Sequence, residues 1–87
     1  MKKIIDGKLY NTHTAREVDE WCHDRGNYQQ YGEGLYCKRT GEYFLWKESY
    51  WADRQEIVPL STKEAQEWME RYSNVDTYAA EWGLPEE

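Results

Sequence analysis

The sequence predicts an α+β fold: a small antiparallel sheet of three to four strands, followed by two short C-terminal helices. Three observations carry that reading. Strand-like segments flank turn residues across the first 60 positions, with a central hairpin over 35–47. From Ser61 the hydrophobic period changes from two to 3.6. The aliphatic content is low, with Leu, Ile, Val and Phe together numbering 12 of 87 residues. Such a content beside a net charge of −6 would suit a disordered chain. Five Trp and eight Tyr compensate, because each large ring buries on the order of 150–250 Å². One domain over 1–87 is expected, mainly β with loops over 1–60 and helical over 61–83.

Ile4-Ile5-Asp6-Gly7-Lys8-Leu9-Tyr10 reads as two strand pieces around an Asp-Gly turn. Residues 14–22 fit two patterns. Thr14 and Glu17 match a capping box with Ala15, Val18 and Cys22 on one helical face, and the same residues fit a twisted edge strand. The flanking strands favour the latter. Residues 23–34 read as a polar, glycine-containing loop.

Leu35-Tyr36-Cys37-Lys38 and the segment Glu42 to Lys47 flank Arg39-Thr40-Gly41. A three-residue loop puts Gly41 where φ must be positive, which sets Lys38 against Glu42, Tyr36 against Phe44 and Leu35 against Leu45. Leu35, Cys37, Tyr43 and Leu45 then share one face, and Tyr36, Phe44 and Trp46 the other. The hairpin is therefore covered on both sides or shows an aromatic face to a partner. Residues 48–55 read as a connection, and Glu56 to Leu60 as a last strand held to an edge or end by Pro59.

Ser61 and Glu64 form a capping box, with Leu60 and Ala65 placed for a hydrophobic staple. Ala65, Trp68, Met69 and Tyr72 follow the i, i+3, i+4, i+7 spacing. Val75, Tyr78, Ala79 and Trp82 repeat it, with Ser73 and Asp76 as the expected cap and Gly83 and Pro85 as the stop.

Residues 1–55 hold nine acids and nine bases, while residues 56–87 hold eight acids and two bases, so the net charge belongs to the last third. That makes Glu64, Glu67, Glu70, Asp76 and Glu81 candidate partner-binding residues, able to imitate a run of phosphates before a basic surface. The ordinary solvated helix face is the competing reading. Trp46, Tyr50 and Trp51 are the candidate apolar anchors, since Trp and Tyr are enriched at interfaces.

The acidic balance weighs against direct nucleic-acid binding. Cys22, His23, Cys37 and His13 lack structural-zinc spacing, and no segment supplies a placed base with an oxyanion hole. No catalytic residue, metal or cofactor is expected, and the chain reads as non-enzymatic. No apolar run is long enough to span a membrane or follow the basic start as a secretory signal, and two cysteines without a signal fit reduced cytosolic thiols.

The segments KKIIDGKLYNTHTA, LYCKRTGEYFLWKE and IVPLSTKEAQEWMERY resemble a set of short proteins encoded by phages, plasmids and integrative elements of Gram-positive bacteria. Their pattern runs I-x-G-K-x-Y-x-T-x-T-A, then L-Y-x-x-x-x-G-x-Y-F-L, then I-x-P-L-T-x-x-E-A-x-x-W. The match covers about half of the chain. It departs after Leu45, where many relatives carry a Gly-Glu-Gly-Gly turn and this chain has Trp46-Lys47-Glu48-Ser49-Tyr50-Trp51. The resemblance implies a cytoplasmic protein of a bacterial host, of the anti-defence type. Such a protein, anti-CRISPR or antirestriction in kind, binds a host nuclease or CRISPR effector and blocks its nucleic-acid site. Two alternatives stand beside it: a single-strand nucleic-acid-binding accessory protein that uses aromatic stacking, and a homodimeric assembly module.

Overall fold

A computed structural model describes residues 1–24, 30–49 and 54–83. Among them, β1 (Lys2–Ile5) and β2 (Lys8–Asn11) form a two-stranded hairpin. A separate antiparallel sheet runs in the order β3 (Arg16–Asp24), β4 (Gln30–Cys37), β5 (Tyr43–Ser49), β6 (Arg54–Leu60). Helices α1 (Thr62–Tyr72) and α2 (Val75–Trp82) follow. The class is α+β with a C-terminal helical pair.

Turn chemistry sets the register. Asp6 (φ 51°) and Gly7 (φ 75°) both take positive φ, as a two-residue hairpin turn demands. Gly41 takes φ 92° in the loop between β4 and β5. Leu35 pairs with Leu45 and Tyr36 with Phe44, and the Lys38 amide donates to the Glu42 carbonyl at 2.8 Å. This is the pairing that the position of Gly41 requires.

Both faces of the sheet are covered. Leu35, Tyr43 and Leu45 pack with Ala65, Trp68 and Met69 of α1, with Val18, Trp21, Tyr72 and Trp82 around them. Tyr36, Phe44 and Ile57 pack on the other face with Tyr10 of the N-terminal hairpin. Rings make much of the joint: Trp21 lies 4.5 Å from Tyr72, Trp68 5.2 Å from Tyr72 and Tyr43 5.0 Å from Trp82, centroid to centroid.

Residues 16–24 are a strand. The register of β3 against β4 shifts between Glu17 and Asp19. One extra residue there reverses the alternation that follows. It places Asp19 and Trp21 on the helix side and sends Glu20 to the same side as Glu17. Both sheet edges are blunted against pairing with other chains, β3 by this bulge and its charges and β6 by Glu56 and Pro59.

Three expectations are corrected. The 23–34 stretch is strand at both ends, because β3 continues to Asp24 and β4 starts at Gln30, while 25–29 lie outside the described residues. Its glycines sit within the ladder, Gly32 opposite Cys22 and Gly34 opposite Glu20. Residues 48–55 likewise extend β5 to Ser49 and begin β6 at Arg54. At α2 the cap is Asn74, whose side chain accepts from the Thr77 amide at 2.8 Å, rather than Ser73 with Asp76. Ser73 closes α1 instead, and its hydroxyl donates to Asp19 of β3.

Candidate functional site

The capping box on α1 forms as its spacing requires: the Glu64 amide donates to Ser61 Oγ at 3.1 Å and the Ser61 amide to Glu64 Oε1 at 3.0 Å. That bond to the Ser61 backbone holds the Glu64 carboxyl below its usual range, so Glu64 stays charged. Because Ala65, Trp68 and Met69 turn inward, Glu64, Glu67 and Glu70 turn outward and are exposed, and Asp76 in the first turn of α2 is exposed too. None of these carboxylates has an ion-pair partner among the described residues. Among the described residues Glu70 accepts the Tyr78 hydroxyl, at 3.4 Å. Between α1 and α2 lies an open notch of about 330 Å³, with buried Met69 as one wall and Glu70 and Val75 at its mouth. Val75 is 69% exposed.

Glu81 does not belong to this surface. Its carboxylate takes both guanidinium nitrogens of Arg16, at 2.7 and 2.9 Å, and the Tyr43 hydroxyl at 2.8 Å. The hydrogen bond from Arg16 holds its pKa down, and burial with the bond to Glu81 pushes the Tyr43 hydroxyl up. Glu81 joins α2 to β3 and β5. Helical spacing put it with the other acids, but its partners are 65 and 38 residues away.

Trp46 lies on the opposite side of the sheet, against the cluster built on Tyr36 and Phe44. The proposed anchor and the helical carboxylates are therefore on two surfaces, not one. Tyr50 and Trp51 fall outside the described residues. The Trp46 indole N–H is buried with no acceptor among the described residues. A buried unsatisfied donor costs about 1–3 kcal/mol, which offsets much of the indole's packing gain. Trp46→Phe is thus expected to change unfolding free energy by less than about 1 kcal/mol in urea titration, whereas a loss of several would mean that the N–H has a partner.

Beside Trp46 is a cleft of about 150 Å³ whose lining includes Glu17, Glu20, Gly32, Gly34 and Glu48. Sequence reasoning missed these carboxylates, because they come from separate strands and share a face only through the bulge in β3. The available signal was the alternation Gly32, Gly34, Tyr36. A Cβ at Gly34 would come within 3.0 Å of the Tyr36 ring, so only glycine lets that ring lie beside the backbone.

Cys37 is a free, partly buried thiol. Among the described residues no group of three or more His, Cys, Asp or Glu side chains is placed to hold a metal ion, and no helix is long and apolar enough to cross a membrane. What fold and surface define is a small α+β protein with an acidic face on its helical pair that has no ion pair among the described residues. The chain matches no protein-family model, no curated protein and no solved structure.

Proposed function

We propose that this protein is a non-enzymatic binding module that docks the outer face of α1 and the start of α2 on a basic surface of a partner protein. The observation that carries the reading is the row of Glu64, Glu67, Glu70 and Asp76, all exposed and without an ion pair among the described residues. Carboxylates spaced along a rigid helix present charge at fixed positions, so they complement a site built for phosphates without ordering a flexible chain. The notch with Val75 at its mouth supplies an apolar contact next to that charge.

In line with the resemblance to mobile-element proteins, the partner is a host defence nuclease or CRISPR effector whose nucleic-acid site is blocked, in the bacterial cytoplasm. Base stacking on the sheet is the weaker alternative. Phe44 is fully buried, Tyr10 and Tyr36 nearly so, and the cleft at Trp46 is rimmed by carboxylates that repel phosphates.

The test measures DNA cleavage by a panel of purified bacterial nucleases and CRISPR effectors in the presence of the protein. Wild type is expected to inhibit at least one, with potency falling as NaCl rises from about 50 to about 300 mM. Glu67→Lys with Glu70→Lys should weaken that inhibition by roughly tenfold or more. A panel without inhibition, or inhibition that survives the double reversal, overturns the reading.

A further inference from the structure

The cleft beside Trp46 is unlike the helical face in shape. Its floor is formed at Gly32 and Gly34, the Tyr36 ring lies against Gly34 and closes that end, and Trp46 of β5 stands directly across the ladder from Gly34. Glu17 and Glu20 of β3 rise on one side and Glu48 of β5 on the other, all three exposed. Among the described residues lining the cleft there is no Lys or Arg to neutralise them. The result is a narrow slot, aromatic on the sides of Trp46 and Tyr36 and anionic at the rim.

We propose that this slot seats an arginine side chain of a partner protein. Three observations narrow the occupant. Charge complementarity requires a cation. These carboxylates do not converge as metal ligands do, so the cation is spread out rather than a point. At about 150 Å³ the space falls below the roughly 300–1,000 Å³ of small-molecule pockets and suits the end of one side chain. A guanidinium meets all three conditions, since it is flat, stacks on indole and presents donors in several directions to separate carboxylates. The same side of the molecule already holds a cation over a ring, with Lys38 Nζ 4.4 Å from the Tyr10 centroid. The slot and the acidic face of α1 lie on opposite sides of the sheet, so this inference does not rest on the helical reading and its test fails or succeeds separately.

The probe is the capped peptide acetyl-Gly-Arg-Gly-amide, titrated into the 15N-labelled full chain with ionic strength held constant by NaCl. Saturable shifts are expected at the Trp46 indole N–H and at the Gly32 and Gly34 amides. The lysine counterpart should bind at least about threefold more weakly, because its ammonium lacks a planar face. Glu20→Gln with Glu48→Gln, both on exposed positions, should weaken the arginine response about tenfold while the rest of the spectrum stays native. Shifts confined to α1 and α2, no saturation, equal response to lysine, or an unchanged response in the double variant would each overturn the assignment.

Discussion

Replacing Phe44 by Ala is expected to remove about 3–5 kcal/mol of stability, the usual cost of deleting a fully buried phenyl ring. Phe44 is 0% exposed. Its ring stacks on Tyr36 at 5.4 Å and 11°, and meets Tyr10 edge-on at 5.4 Å and 79°. Each such aromatic pair contributes about 0.5–1.5 kcal/mol beyond area burial. Domains of this size have about 5–15 kcal/mol in total, so the variant sits near the threshold of folding. The loss has a direction as well as a size. Tyr10 is buried against Phe44, and with Ile5 beside it fastens the β1–β2 hairpin to the sheet. Amide exchange in β1 and β2 should therefore accelerate more than in β5. Leu35→Ala, made on the other face, should loosen the helices instead, since Leu35 packs with Ala65, Trp68 and Met69. Urea midpoints and site-resolved exchange check both. A Phe44→Ala loss under about 1.5 kcal/mol would show that the hairpin side is not a true second core.

These two cores explain what was legible. Local chemistry was readable wherever one residue type had a single reason to be present. Asp6-Gly7 and Gly41 dictate turns with positive φ, and the second of them carries the whole register from Leu35 to Leu45. The alternation of Leu35, Cys37, Tyr43 and Leu45 with Tyr36, Phe44 and Trp46 already shows that both faces of the hairpin need cover. It does not say that helices cover one and a two-stranded hairpin the other.

What was not legible depends on partners distant in sequence. Ser73 is a good capping residue by itself, but its hydroxyl is drawn to Asp19, and Asn74 takes over the cap. Gly32 and Gly34 look like loop residues and are strand residues, and at Gly34 the Tyr36 ring occupies the space that a side chain would need. For the candidate site, the exposed carboxylates of α1 follow from helical spacing alone. The Trp46 slot does not, since its rim depends on a one-residue bulge in β3 that no local pattern announces.

Glu81 is where long-range pairing has the largest energetic consequence. Its side chain is 9% exposed and its Arg16 partner 60%. Glu81→Gln keeps the shape, removes the charge and leaves Arg16 and Tyr43 with weaker acceptors. With Arg16 largely in solvent, the pair is screened on one side. The expected loss is about 2 kcal/mol, between an exposed and a fully buried ion pair. It should appear first as fraying of α2, which Glu81 fastens to β3 and β5. The pH dependence follows from the direction of the shift. Arg16 holds the folded carboxyl below its ordinary 4.5, so the unfolded chain takes up the proton first as pH falls. The stabilisation is therefore complete above the ordinary carboxylate range, and it fades as pH drops through the lower folded value. Wild type should exceed Glu81→Gln by a constant margin from about pH 6 to 8, and the two should draw together as pH falls below the ordinary 4.5. A margin that stays constant into acid would mean that Glu81 acts through packing, and that its bonds to Arg16 and Tyr43 contribute little.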